Sequence, residues 1–172
     1  MRLVMPSERP GHSVRGTLML HACQKSMAKP IEWVLTEHFA EEVSLDFTVQ
    51  PLAPNMLRAT YDWRGESVGA QFLVSKLARI PHIRFEVMEH NFAQNNHQRF
   101  SYVPSLGIFR ADTDPYGNII INELVLRNIL EKSDEVSTAL DTCLGSAWDA
   151  ELEPFRVAIE GDSIRWVHKT VV

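Results

Sequence analysis

Four segments of alternating polar and apolar residues, separated by two segments of helical periodicity, constrain the fold of this chain more than any other feature. From Val14 to Cys23 every second residue is apolar or small, which is typical of a strand with one face against a core. Similar strands are predicted over 43–50, 57–63 and 83–90, and helices over 31–40 and 70–80. The order strand, helix, strand, strand, helix, strand predicts a ferredoxin-like βαββαβ sandwich, with both helices on one face of an antiparallel sheet.

Residues 91–172 extend this unit rather than repeat it. An asparagine-rich linker over 91–98 precedes short strands and an Asp-Pro-Tyr-Gly turn at 114–117, which predict a β-hairpin with its partner strand at 119–121. Helical periodicity follows from Glu123, with a longer helix from Ser133, and a last strand is expected from Ile164. The sequence therefore predicts one α+β domain over 13–172. It comprises a ferredoxin-like half (13–90) and a hairpin and helical extension (98–172), after a disordered N-terminus (1–12).

Composition and charge exclude several classes of protein. The chain has 172 residues, a net charge of −5 and two cysteines, so a basic nucleic-acid footprint and a disulfide framework are not expected. Neither a secretory leader nor a membrane-spanning run is apparent, so we expect a cytoplasmic protein without membrane contact. Residues 1–90 carry ten basic and ten acidic side chains, whereas residues 91–172 carry seven and twelve. This acidic excess indicates either a solvated helix face or a docking surface for a basic partner.

The polar face of the predicted sheet offers one candidate ligand site. We expect the first and third strands to be central and parallel, with the fourth strand beside the first. Arg84 should then lie near His21 and Cys23, and Asp62 should lie across from them. The candidate ligand-binding residues are His21, Cys23, Lys25, Arg58, Asp62 and Arg84.

Three interpretations of these residues stay open: a pocket for a small anionic ligand, a thiol active site, and a structural layer of ion pairs. In a thiol active site Cys23 would be the nucleophile, His21 the base and Asp62 the group that orients it. However, residues two apart on a strand are separated by roughly 7 Å, too far for an ideal nucleophile–base hydrogen bond. No catalytic residue is therefore assigned.

The sequence predicts neither a metal nor a cofactor. No two histidines have the i, i+4 spacing of a helical metal site, and His90 and His97 could meet only if the intervening linker folds back. Residues 112–123 match most of a calcium-loop register, but Tyr116 occupies its fifth position and Pro115 favours a tight turn. We therefore expect a hairpin tip there.

Several strings, in order and spacing, resemble the actinobacterial family catalogued as domain of unknown function 3145, over nearly the whole chain after the first dozen residues. They include Pro30-Ile-Glu-Trp-Val-Leu35, Gln50-Pro-Leu-Ala-Pro54, Leu57-Arg-Ala-Thr-Tyr-Asp-Trp63, Gln98-Arg-Phe-Ser-Tyr-Val-Pro104 and Leu140-Asp-Thr-Cys-Leu-Gly-Ser-Ala-Trp148. The resemblance implies an auxiliary role in fatty-acid synthesis and assigns no catalytic residue.

Together these observations predict a cytoplasmic, non-catalytic binding or accessory module. It would bind an unidentified protein partner or a small anionic ligand through the polar sheet face or the acidic C-terminal helices, and a homodimer stays open. The alternative is a small enzyme that acts on an acyl or phosphorylated metabolite through a pocket on the polar sheet face.

Overall fold

The computed structural model describes residues 14–65, 69–132 and 135–158, and these residues form a mixed α+β structure, as predicted. Its strands are β1 (Val14–Gln24), β2 (Thr48–Gln50), β3 (Ala53–Gly65), β4 (Arg84–Asn91), β5 (Asn96–Val103) and β6 (Gly107–Thr113). Within the same ranges the α-helices are α1 (Ala28–Phe39), α2 (Ala70–Leu77), α3 (Glu123–Lys132), α4 (Val136–Leu144) and α5 (Ser146–Val157). No helix of the described ranges is long and apolar enough to cross a membrane.

The strands form one antiparallel sheet in the order β2-β3-β1-β4-β5-β6. The first four strands and the first two helices occur in the predicted order along the chain, but the expected parallel pairing of β1 with β3 is wrong. These strands are antiparallel, and Thr17 lies opposite Asp62. The cause is the connectivity. Helix α1 returns the chain so that β2 runs in the direction of β1, and the turn at Pro51–Leu52 reverses it into β3.

A β-bulge in β1 changes which side chains share a face. The register of β1 with both of its neighbours shifts after Leu20, and regular pairing with β3 resumes only at Cys23. Cys23 consequently belongs to the core on the helix side, whereas His21 faces the opposite side of the sheet. Gln50 is fully buried and donates its side-chain amide to the His21 carbonyl at 2.6 Å, so this carbonyl keeps a partner at the irregularity.

Helices α1 and α2 cover one face of the sheet. Their apolar stripes pack on alternate residues of β1, β3, β4 and β5 in one continuous core. Its fully buried members include Leu18, Ile31, Leu35, Leu73, Leu77, Phe85 and Phe100. The predicted second strand is shortened at its start, because the Leu45 amide donates to the Glu32 carboxylate of α1 at 2.9 Å rather than to a strand.

The C-terminal part departs from prediction in two places. The hairpin consists of β5 and β6, and the segment expected as their partner strand contributes one bridge, between Thr113 and Ile119. The expected long helix is interrupted at Gly145, whose left-handed conformation (φ 71°) separates α4 from α5. The predicted disordered N-terminus, Ser133 at the expected start of the longer helix and the predicted last strand lie outside the described residues.

Helix α5 lies on the face opposite α1 and α2. Its Leu152 is fully buried, and the Trp148 indole donates to the Gly107 carbonyl at 2.9 Å. Arg156, one turn after Leu152, bonds Glu86 of β4 directly. The polar sheet face of the sequence prediction is therefore partly covered by a helix, and the contact includes charged groups.

Candidate functional site

A buried carboxylate, Glu86, is the centre of the polar cluster between the sheet and α5. Its side chain is 0% exposed and points to the face that α5 covers. One carboxylate oxygen accepts from Arg99, Ser101 and Arg156, and the other accepts from His21 and Arg156. Every hydrogen-bonding direction that a carboxylate commonly uses is thus occupied by protein groups.

Charge compensation makes this burial tolerable. Burial alone would raise the pKa of Glu86, but the hydrogen bonds and positive charges of His21 and Arg156 hold that pKa well below its usual range. The same pairing raises the pKa of Arg156, against the opposing effect of its own burial. The pair is therefore ionised at neutral pH.

Asp149 of α5 supplies a second negative charge to the cluster. It accepts from Arg99 at 2.5 Å and from Arg156 at 2.8 Å, and Glu153 accepts from Arg156 at 3.2 Å. Each guanidinium therefore bridges Glu86 on the sheet to a carboxylate of α5. The arrangement attaches α5 to the sheet and fixes its position along β4 and β5.

The structure separates the residues that the sequence expected to converge. His21 is buried and bonds Glu86 at 2.8 Å, whereas Cys23 is buried on the opposite side of the sheet. Burial raises the pKa of the Cys23 thiol to about 11, although a backbone hydrogen bond from Leu57 partly opposes this effect. A thiol with such a pKa is protonated and unreactive at neutral pH. Asp62 is exposed near the other end of β1 and accepts from the Thr17 hydroxyl at 2.5 Å.

The remaining predicted ligand residues also lie apart. Arg84 pairs beside Ala22, as expected, but its guanidinium lies over the Phe155 ring of α5 at 4.9 Å. Arg58 lies opposite Thr48, on the β2 side of the sheet, and Lys25 is exposed in the turn before α1. The expected convergence of Cys23 and Asp62 with His21 and Arg84 is wrong, because β1 and β3 are antiparallel and the bulge rotates Cys23 away.

Sequence reasoning missed the partners that do converge on Glu86. Arg99, Asp149 and Arg156 are 13, 63 and 70 positions further along the chain. One signal was present: Arg156 occurs one turn beyond the apolar stripe that ends at Leu152, on the same side of the helix. Charged residues at an inward helix position indicate a buried partner on the element beneath.

A second feature is a shallow apolar trough where α3 and α4 meet β6. It consists of two adjoining open clefts of about 470 and 550 Å³, which share Val125, Thr142 and Cys143. The apolar side chains of the trough are Phe109, Ala111, Ile119, Ile120, Ile121, Val125, Ile129, Ala139 and Cys143. Arg110, Asp112 and Lys132 lie at the trough as well, but its surface is mainly apolar, which suits a partner that presents apolar side chains.

A third feature is a pair of histidines on neighbouring strands. The linker folds back as the β4–β5 turn and places His90 opposite His97, with 3.2 Å between the Nδ1 atoms. Burial and the neighbouring His97 lower the pKa of His90, and Asp114 partly offsets this effect. Asp114 accepts from the amides of Tyr116 and Asn118 and caps the turn of the predicted hairpin tip. No group of three or more metal-ligating side chains occurs among the residues that the structure describes.

These features define an α+β protein with an antiparallel sheet, a charged helix-to-sheet contact and an apolar trough. The chain belongs to the family described as "Protein of unknown function (DUF3145)", whose family model matches it over residues 17–169. This membership confirms the resemblance drawn from the sequence strings. No curated protein and no solved structure matches the chain.

Proposed function

We propose that the protein is a non-catalytic binding module and that the apolar trough between β6, α3 and α4 is its binding surface. The observation that carries the proposal is α3 itself. Its residues Val125, Leu126, Ile129 and Leu130 form one apolar stripe, yet no residue of the helix is buried. A ten-residue helix is marginal in water unless its apolar face packs against something. A partner that covers the stripe would supply this packing.

Charge favours a basic partner. The lining of the trough carries Arg110, Asp112 and Lys132, so its own charges nearly balance. The acidic excess of the chain lies in the surrounding residues 91–172, which include Glu123 and Asp141 of α3 and α4. An amphipathic segment with an apolar face and flanking lysines or arginines would match both properties. A second copy of this chain would bring acid against acid, so the charge disfavours self-association through this surface.

The rest of the fold acts as a scaffold in this proposal. We infer that residues 14–91 form a ferredoxin-like unit; the order β2-β3-β1-β4, the antiparallel pairing and the placement of α1 and α2 on one face support this inference. An experimental structure with these two helices on opposite faces would contradict it. The module would act in the cytoplasm, as the sequence composition suggests.

The link to fatty-acid synthesis that the family resemblance implies supplies a competing occupant, an acyl chain. The two occupants differ in their charge requirement. A basic peptide gains from the acidic surroundings, and its affinity falls as salt is added. A fatty-acid carboxylate could pair only with Arg110 or Lys132 of the lining and is repelled by the acidic excess around them. We favour the peptide because the acidic excess and the trough occur in the same half of the chain.

The test is affinity capture from native cell extract with three baits, followed by mass spectrometry. The baits are the wild type, Ile129→Asp in the trough, and Leu124→Asp as the matched control. Leu124 is 66% exposed and lies on the other side of α3, so the same charge is added outside the trough. We expect a partner that binds the wild type and Leu124→Asp but not Ile129→Asp.

Direct binding of a peptide from the captured partner then checks the occupant. Cys143 lines the trough, so bound peptide should slow its alkylation by a maleimide several-fold. Equal capture by all three baits, or no specific capture at all, would refute the proposal. Displacement of a fluorescent fatty acid from the trough without any peptide binding would replace the peptide by an acyl chain.

A further inference from the structure

Two arginines face the same side of the sheet although they lie on different strands. Alternation along β3 packs Leu57 and Ala59 against the core, so Arg58 between them faces the opposite side. Arg84 of β4 faces that side as well, because its guanidinium carbon lies 4.9 Å from the centre of the Phe155 ring of α5. Both guanidinium groups therefore belong to the polar face.

The bulge in β1 lies between the two arginines. Arg84 pairs with Ala22 on one side of β1, and Arg58 lies opposite the irregular stretch between Leu20 and Cys23 on the other side. One strand thus separates them, which puts their Cα atoms two strand spacings, roughly 10 Å, apart. Because arginine has a long flexible stem, both side chains can reach one small group held above the intervening strand.

Neither guanidinium is neutralised by the part of the chain that the structure describes. The ion pairs of the polar face within that part are those around Glu86, and none of them includes Arg58 or Arg84. The Nε atom of each of these two arginines is buried and has no hydrogen-bond partner there. Glu86 cannot serve as the partner, since both of its oxygens already accept from other groups. An unpaired charge and an unpaired buried donor both cost free energy, and an anion between the two guanidiniums would remove both costs.

We propose that Arg58 and Arg84 form a binding site for the phosphate group of a small molecule. A guanidinium presents its N–H donors in a planar fork that matches phosphate oxygens, and a phosphate dianion balances both positive charges, whereas a carboxylate balances only one. Stacking on Phe155 occupies the flat face of the Arg84 guanidinium and leaves its N–H edge available. Small rotations of the two side chains would direct both Nε–H groups at shared oxygens. The net charge of −5 disfavours a nucleic acid as the source of the phosphate, so the ligand is a phosphate monoester.

The test is titration of the whole protein with inorganic phosphate at about pH 8, where phosphate is mainly a dianion. Two-dimensional NMR of the arginine Nε–H groups reports on the atoms concerned, and sodium chloride of matched ionic strength is the reference. We expect saturable shifts of the Arg58 and Arg84 signals at millimolar phosphate. Acetate should shift the same signals much less.

Variants then connect the signals with affinity. Arg58→Gln and Arg84→Gln should each weaken phosphate binding at least about tenfold, since each removes a charge-assisted contact. Arg64→Gln is the matched control, because Arg64 is exposed on the same face of β3 and should leave binding unchanged. Ile129→Asp should also bind phosphate normally, which separates this site from the trough.

The measurement on the wild type can overturn the proposal even if a variant fails to fold. No saturable shift at millimolar phosphate, an equal shift with sodium chloride alone, or shifts confined to other arginines would each do so. Full affinity in both glutamine variants would have the same consequence. So would a crystal structure in which a carboxylate of the chain itself lies between the two guanidiniums.

Discussion

Replacing Glu86 by Gln tests whether the buried cluster attaches α5 to the sheet. The substitution keeps the shape of the side chain but removes the charge and one acceptor oxygen. At least two charge-assisted hydrogen bonds, among those from His21, Arg99 and Arg156, lose their anionic acceptor. Such bonds contribute about 1.5–3 kcal/mol each, and breaking a buried ion pair costs about 3–5 kcal/mol. We expect a loss of about 3 kcal/mol in the free energy of unfolding.

The assay is urea unfolding at pH 7, followed by far-ultraviolet circular dichroism. Glu37→Gln is the matched control, because Glu37 is exposed and its pair with Lys76 (3.1 Å) is on the surface. We expect that variant to lose no more than about 0.5 kcal/mol. A loss below about 1 kcal/mol for Glu86→Gln would refute the reasoning.

A double-mutant cycle identifies α5 as the element concerned. Arg156→Met keeps the apolar stem of the side chain but removes its charge. Because Arg156 donates to both oxygens of Glu86, the losses from Glu86→Gln and Arg156→Met should not add. We expect a coupling energy of about 1–3 kcal/mol. Additive losses would show that the two residues stabilise the fold independently.

Three further predictions use the same structure. Folding lowers the pKa of Glu86, so its contribution to the free energy of unfolding is present above the unfolded-state pKa of about 4.3 and is lost as the pH falls below that value. On acidification the Glu86→Gln variant should therefore lose less stability than the wild type, and an equal loss in the two proteins would contradict this. In native protein a thiol reagent should modify Cys143 within minutes and Cys23 only after denaturation; rapid modification of both would contradict the burial of Cys23. Gly16→Ala should lower the free energy of unfolding by about 1–3 kcal/mol in the same urea assay, because the new Cβ would lie 1.9 Å from the Trp63 ring. Gly65→Ala is the control, because a Cβ there would meet no other atom, and equal stability of the two variants would refute the overlap.

The elements of residues 14–91 were predictable because each is specified by local periodicity. Alternation places Leu18 and Phe85 on one face, and helical spacing places Leu35 and Leu73 toward it, without any knowledge of distant contacts. Segment ends were less predictable. The second strand is shorter than the segment of alternating residues that predicted it, because the Leu45 amide donates to the Glu32 carboxylate of α1. This hydrogen bond depends on a tertiary contact, which the sequence of the strand does not indicate.

The candidate site was less predictable because it depends on two non-local features. The bulge after Leu20 inverts the alternation for the residues that follow it, Cys23 among them, and no residue type in this stretch predicts it. The cluster at Glu86 depends on guanidinium groups from β5 and α5. To predict this cluster, one would need to know where α5, about 65 residues further along the chain, packs on the sheet. Strand periodicity correctly placed Glu86 and His21 on the polar face, but it could not supply their partners.

The two C-terminal contacts divide the extension into parts with different physical roles. Helix α5 is attached by buried ion pairs, which tolerate little displacement because each charge depends on the position of its partner. Helices α3 and α4 have no buried residue and meet the rest of the described chain through apolar contacts at the trough. Such contacts are non-directional and can be exchanged for those of a partner at small cost. The proposed binding role depends on this difference: α5 is held by buried ion pairs, whereas α3 and α4 present apolar side chains that a partner could cover.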